Sequence, residues 1–293
     1  MNYNVVVPIV KRNLETVKIT YSYIMENLNP NSVIFIGAQE CKEVIEKIGG
    51  RFEDENTLFP NLDFLKVKQL ILKRDKFAIK RTGWYFQQFL KIAYAQICEE
   101  EYYLVWDADT VPLKEINMLD SENYPYFDIK TEYHKPYFTT IKKLFSGSIQ
   151  KCGDFSFISE HMLIKTSFMK EMIHQIEKNK ELDGKFFYEK ILSAVRDIDL
   201  CGSGFSEFET YGNFVVAKYP HFYKFRKVKS LRSGDKYLGA TPTRNVLEWA
   251  KESYPIITLE NRDKESSKSI YDIERLMQMY SLEDIVEKTY KGE

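Results

Sequence analysis

The stretch Tyr102-Tyr103-Leu104-Val105-Trp106-Asp107-Ala108-Asp109-Thr110-Val111-Pro112-Leu113 decides how the rest of the chain is read. An unbroken apolar and aromatic run passes straight into two carboxylates separated by one small residue. A short run of this kind reads as a buried strand. In an open α/β sheet, ligands gather beyond the carboxyl ends of the strands. A D-x-D turn there can aim Asp107 and Asp109 at one divalent cation. Mn²⁺ and Mg²⁺ take hard oxygen ligands and commonly bridge protein carboxylates to substrate phosphates. The same two residues also suit a plain solvated turn, with Asp109 capping the segment that follows. The strand before them and the Thr-Val-Pro-Leu after them favour the cation.

Outward from this point the first half alternates strand and helix signals. Residues 5–10 form a β-branched run. Leu14, Val17, Tyr21, Ile24 and Leu28 then recur at helical spacing until Asn29-Pro30-Asn31 stops them. Residues 33–36 read as a second strand closed by Gly37, and 40–48 as a short helix ended by Gly49-Gly50. This βαβα order predicts a mostly parallel sheet with helices on its faces. Residues 51–80 give no clear element, only a mixed apolar and basic run. Thr82 is placed as the N-cap of a helix over 83–98. Further on, 162–164 reads as a strand, Thr166 as the cap of a helix to 178, and 185–198 as the next helix. Residues 213–217 and 221–225 resemble strands. The last fifty or so residues carry few strand signals and end in an amphipathic helix from about residue 270.

Composition bounds the function. The chain has 293 residues, enough for one large α/β domain or two small ones, and a formal charge of −1. That balance argues against a protein built mainly to hold nucleic acid. Cys41, Cys98, Cys152 and Cys201 form no CxxC pair and no zinc-ligand spacing, and scattered thiols suit a reducing compartment. No signal-peptide pattern precedes the first strand, and no apolar run is long enough to span a bilayer. The expectation is a cytoplasmic protein, with peripheral contact at the inner face of the membrane allowed.

Several other segments carry chemistry. Arg81-Thr82-Gly83-Trp84 opens a helix, where free N–H groups and the positive dipole end favour anions. Gly83 permits close approach, and Gln87 and Gln88 lie one turn on. Glu207 and Glu209 follow the Cys201-Gly202-Ser203-Gly204 turn. A carboxylate there suits deprotonation of an attacking hydroxyl; a helix start stabilised by its own acids is the plainer reading. His161 follows Glu160 at the head of a strand. The basic segment 224–236 reads as a mobile loop over a diphosphate, as a contact for anionic lipid, or as a solvated face.

Strand, D-x-D and following proline resemble the metal-binding signature of GT-A glycosyltransferases. Residues 81–91, Ser159-Glu160-His161-Met162 and residues 204–213 are similar to segments of the bacterial DUF6492 family of glycosyltransferase-like proteins. The resemblance spreads over about residues 1–225. It implies a Rossmann-like GT-A fold with a mostly parallel central sheet flanked by helices. The catalytic domain would cover 1–245, with a donor half to about 115 and an acceptor half from about 116, followed by a helical tail over 246–293. It implies metal-dependent transfer of a sugar (EC 2.4, hexosyltransferase-like) from a nucleotide sugar, a UDP-sugar first, to a glycan or lipid-linked acceptor in surface polysaccharide or lipopolysaccharide synthesis. Mn²⁺ or Mg²⁺ would sit on Asp107 and Asp109, with His221 as a third ligand. Pro8, Val10, Lys11, Arg81, Gly83, Trp84, Gln87, Trp106, Asp107 and His161 would meet the nucleotide sugar, and Glu207 or Glu209 would act as the base. Paired carboxylates also serve nucleotidyltransferases and phosphohydrolases. Residues 8–13, however, lack the glycine-rich loop that nucleotidyltransferases place after the first strand. A non-catalytic nucleotide-sugar-binding module is the third reading.

Overall fold

Tyr3–Ile9 forms β1, seven residues buried on both faces of a sheet, which is what a continuous run of valines and isoleucine dictates. The computed structural model describes residues 3–260 and 273–291. The further strands are β2 Val33–Gly37, β3 Arg51–Asp54, β4 Tyr102–Trp106, β5 Thr110–Pro112, β6 Tyr126–Asp128, β7 His161–Lys165, β8 Lys224–Arg226, β9 Ser230–Leu231 and β10 Ile256–Thr258. The main helices are α1 Leu14–Asn27, α2 Lys42–Lys47, α3 Phe64–Arg74, α4 Thr82–Ala93, α5 Lys135–Leu144, α6 Thr166–Lys178, α7 Phe187–Ala194, α8 Asp197–Leu200 and α9 Glu207–Lys218.

The central sheet has the order β3-β2-β1-β4-β7. Its first four strands are parallel, and β7 is antiparallel at the edge, with Trp106 opposite His161. The fold class is therefore α/β with a mostly parallel sheet, as expected. Alternation along the strands divides the core. Val6, Tyr103 and Val105 face a layer that includes α3, α4, α6 and α9, while Val5, Val7, Leu104 and Trp106 face α1 and α2. The chain leaves β1 toward β2 on one side and returns through β4 on the other. The crevice at such a switch point, beyond the carboxyl ends of β1 and β4, is where ligands bind in open α/β sheets. The D-x-D turn follows β4 directly.

Several elements differ from expectation. Residues 213–217 lie in α9. Ser206 caps that helix by accepting from the Glu209 N–H, and Phe208, Tyr211 and Val215 are buried at helical steps. Three- and four-residue burial outweighs the β-branched pair that suggested a strand. Of 221–225, only its last two residues enter a strand, β8. Thr82 does not cap α4; it lies in the helix and donates to the Ile79 carbonyl, after a 3₁₀ turn over Lys76–Arg81. The helix expected over 185–198 is confined to α7 and α8. In 51–80 the structure holds β3 and α3, the latter capped by Asp63.

The stretch expected to be a helical tail contributes a strand. β10 pairs with β5 and β9, and Leu259 N–H donates to the Asp109 carbonyl at 2.7 Å. The sheet so formed packs with helices Arg244–Ser253 and Leu282–Lys291 around Val111 and Leu113. The signal missed in Ile256-Ile257-Thr258 was a three-residue strand whose partners lie far off in sequence. The start of the expected terminal helix, residues 270–272, lies outside the described residues.

Candidate active site

The D-x-D turn is held on several sides. Trp106 Nε1 donates to the Thr110 carbonyl at 2.7 Å, and Thr20 Oγ1 reaches the Ala108 carbonyl at 3.2 Å. Asp107 N–H donates to the Glu160 carbonyl, and the hydroxyls of Thr110 and Thr258 meet at 3.2 Å. With the backbone tied this way, the two carboxylates are aimed by a rigid support, which is what a preorganised site requires.

Lys91, about two and a half turns into α4, connects the turn to α9. Its ammonium donates at 2.8 Å to Asp107 Oδ1 and at 2.8 Å to Glu207 Oε1. The lysine side chain is 5% exposed and Asp107 is 29% exposed, so the bridge is buried on the lysine side and open on the aspartate side. Burial alone would lower the Lys91 pKa; Asp107 and Glu207 outweigh it and hold the ammonium above the ordinary lysine range. Gln88, on the same helix, accepts from the Glu207 N–H and fixes the start of α9. Lys91 also sits 4.6 Å from the Phe208 ring centroid.

Asp109 has no such partner: among the described residues no other side chain donates to its carboxylate. Burial first, then Asp107 and Glu260, push its carboxyl up to about 7. Two neighbouring carboxylates, of which only Asp107 bonds a lysine, leave an excess of negative charge, and hard oxygens with unfilled lone pairs are the donor set that Mn²⁺ or Mg²⁺ completes with phosphate oxygens. The two aspartates therefore fit a divalent cation, although no group of three or more His, Cys, Asp or Glu side chains is placed to hold a metal among the described residues. A third protein ligand is not supplied by His221. It is exposed, with φ +69°, beyond the carboxyl end of α9, whose amino end carries Glu207. A helix of that length separates the two ends by about 18 Å.

A pH profile follows from Asp109. A carboxyl whose pKa is raised by folding favours the folded state while protonated. That contribution is present below about pH 4 and is lost as pH rises through about 7. In chelator, the urea midpoint is expected to fall from about pH 5 to about pH 8, and the Asp109→Asn variant to lose that slope. A wild-type profile identical to that of the variant would remove the repulsion invoked here.

The other expected site residues separate into two groups. Val10 and Lys11 are exposed at the end of β1, beside the D-x-D turn in the sheet order, with Lys11 in an exposed pair with Glu40 at 3.4 Å. Trp84 and Gln87 are half-buried and Gly83 is exposed, with open space where a side chain would stand. Arg81 lies over the Trp84 ring at 4.3 Å and donates to the Gly202 carbonyl, holding the loop before α9. All of these residues are at least partly open to solvent.

Pro8, Trp106 and His161 are buried. Trp106 instead supports the turn, and His161 stacks on it at 4.7 Å while its Nε2 meets Asp128 Oδ2 at 2.7 Å. Burial would raise the Asp128 carboxyl, but Arg226 and His161 hold it well below the usual range. Glu209 is also enclosed. Ser156 Oγ and Asn213 Nδ2 donate to its two oxygens, and burial lifts its pKa against those bonds. It ties the 150s loop to α9.

The basic segment 224–236 is largely committed to ion pairs. Lys224 binds Asp120 and Glu122, Arg226 binds Asp128, Lys229 binds Glu283, and Arg232 binds Glu132 and Glu160. Of the two glutamines one turn into α4, Gln88 is the one that holds Glu207, whereas Lys91 and Glu55 escaped the sequence reading. A lysine inside an amphipathic pattern carries no local signal of its two distant partners. Glu55 follows β3 at the same edge of the sheet, and burial with Asp54 beside it pushes its carboxyl up to about 7. Its N–H donates to the Gly37 carbonyl at the end of β2.

A family model described as a family of unknown function, DUF6492, matches residues 6–234. The chain belongs to the DUF6492 family. Among solved structures, this DUF6492 member is similar to the apo form of mouse xyloside xylosyltransferase 1, with 12% identity over 79% of this chain and 88% of that one, at a TM-score of 0.39. It is similar to the apo form of the glycosyltransferase GlyE of Streptococcus pneumoniae TIGR4, with 13% identity and a TM-score of 0.41, all of this chain covering 64% of that one. The WbbM bifunctional glycosyltransferase aligns at 9% identity and a TM-score of 0.41, over 97% of this chain and 51% of that one. No curated protein matches the sequence.

Proposed function

We propose that this protein is a metal-dependent glycosyltransferase of the GT-A type, transferring a sugar from a nucleoside-diphosphate sugar to an acceptor hydroxyl. One observation carries the reading. Asp107 at the end of β4 and Glu207 at the start of α9, 100 residues apart, meet on one buried ammonium at the switch point of a parallel sheet. That arrangement supports a cation-holding pair and a base acting in one crevice.

Asp107 and Asp109 would hold Mn²⁺ or Mg²⁺. When bound, the cation supplies Lewis-acid stabilisation of the diphosphate leaving group. The chain's own residues do the rest. The exposed end of β1, with Val10 and Lys11, borders the nucleotide, and Trp84 and Gln87 border the crevice from α4. Lys91 fixes Glu207 through Oε1 and leaves Oε2 without a partner among the described residues. Glu207 Oε2 takes the proton from the acceptor hydroxyl as that oxygen bonds to the anomeric carbon and the bond to the nucleoside diphosphate breaks. The configuration at that carbon then inverts. A UDP-sugar is the first donor to test, and a glycan or lipid-linked glycan the acceptor class, in line with synthesis of surface polysaccharide.

The test is Glu207→Gln, which keeps shape and removes the base. Turnover, followed as release of nucleoside diphosphate, is expected to drop by about 10²–10⁴-fold with donor KM nearly unchanged. Loss of donor affinity in equal measure would make Glu207 a ligand contact and not the base.

A further inference from the structure

The segment 65–81 carries seven basic residues and one acid, Asp75, in a chain whose overall charge is −1. It covers α3 and the 3₁₀ turn Lys76–Arg81. The buried face of α3 holds Val67 and Ile71 against the core. Its outer face is not simply polar. Leu65 is 64% exposed, Leu72 48% and Phe77 69%. Leu65 and Leu72 are seven residues apart, two turns of helix, and so share one face.

Phe77 follows them in the 3₁₀ turn that continues the same segment. Arg74 lies half a turn round the helix from Leu65 and Leu72 and fastens the other side of α3, donating to the Leu192 and Val195 carbonyls and pairing with Asp197. Three of the eleven exposed large apolar residues among the described residues thus fall in this one segment. Large apolar side chains gathered in one exposed patch mark an interaction site.

The charges around the patch point to the partner. Lys73, Lys76 and Lys80 are exposed and form no ion pair among the described residues; Lys76 only overlies the Phe77 ring. The nearby acids are already engaged. Asp63 caps α3 and pairs with Lys66, Asp75 caps the 3₁₀ turn and meets Cys201, and Asp197 binds Arg74. Unpaired ammonium groups beside protruding Leu and Phe side chains match a bilayer surface, where apolar groups enter the acyl boundary and lysines meet anionic headgroups.

We propose that Leu65, Leu72 and Phe77, with Lys73, Lys76 and Lys80, form a docking face for anionic lipid membranes. The 3₁₀ turn leads directly into α4, which carries Lys91, so docking sets the crevice within about 15–20 Å of the membrane surface. A transferase working on lipid-linked acceptors gains from that placement, yet the docking stands without it.

The full chain is sedimented with vesicles of phosphatidylcholine alone or carrying about a quarter phosphatidylglycerol, at low and high salt. Binding to the anionic vesicles only, weakened by salt, is expected. Exchanging Lys73, Lys76 and Lys80 together for glutamine should lower partitioning roughly 100-fold, and Phe77→Ser at least about tenfold. These side chains are exposed, so circular dichroism should match the wild type. Equal binding to neutral vesicles, or binding that ignores both variants, would overturn the proposal. So would no binding to either vesicle, which leaves this face to an acidic protein or a nucleic acid.

Discussion

Replacing Lys91 with methionine is expected to destabilise the fold by about 3–5 kcal/mol at neutral pH, the usual cost of removing one partner from a buried ion pair. The lysine is 5% exposed and bonds at 2.8 Å to each of Asp107 and Glu207. Methionine fills the space but leaves Glu207, itself buried, without a countercharge. In the wild type the same two carboxylates raise the Lys91 pKa. Its contribution is present below the unfolded pKa of about 10.4 and is lost only as pH rises beyond it, so it is constant across the working range. Urea unfolding of Lys91→Met, Glu207→Gln and the double variant gives the coupling directly, and the double variant should recover most of the loss. A single-variant loss below about 1 kcal/mol would mean that the ammonium is solvated and exchanges between partners.

Asp109→Asn is expected to act in opposite directions on activity and stability. Release of nucleoside diphosphate in the presence of Mn²⁺ should fall at least about a thousandfold, the several kcal/mol that a Lewis acid contributes. The metal-free protein should meanwhile become more stable above neutral pH. Burial, Asp107 and Glu260 all disfavour the Asp109 carboxylate, and the amide carries no charge to repel. Rising stability with falling activity is the mark of a residue kept for chemistry against its own electrostatic cost. A variant that lost both would place Asp109 in the scaffold, as the cap that a plain turn would need.

The sequence disclosed the sheet through patterns that short windows contain. β1, β2 and β4 are continuous apolar runs bounded by turn residues, and the D-x-D turn follows the last of them. Asp107 and Glu207 stood out as candidates by residue type and context. Their junction was not, because Lys91 looks like any lysine in an amphipathic helix until α9 folds against α4. β10 was hidden for a related reason. Three residues make a strand only because β5, more than a hundred positions earlier, is there to receive them. Trp106 and His161 misled in the other direction. Ring-bearing and titratable side chains near a site suggest contact with a ligand, yet both are buried, Trp106 donating to the backbone of the turn and His161 stacking on Trp106. His221 stood late in the chain, where a third metal ligand was wanted, but α9 carries it away from the aspartates.

The central claim is that Asp107 and Asp109 hold a divalent cation that binds a nucleotide-sugar diphosphate. The direct measurement is thermal unfolding with UDP, GDP, CMP and their sugar conjugates, with and without Mn²⁺, for the wild type and Asp109→Asn. A ligand that binds only the folded state raises the Tm by mass action. The account predicts a Mn²⁺-dependent rise with one nucleotide class in the wild type and none in the variant. A rise that needs no metal, or persists equally in Asp109→Asn, would contradict it.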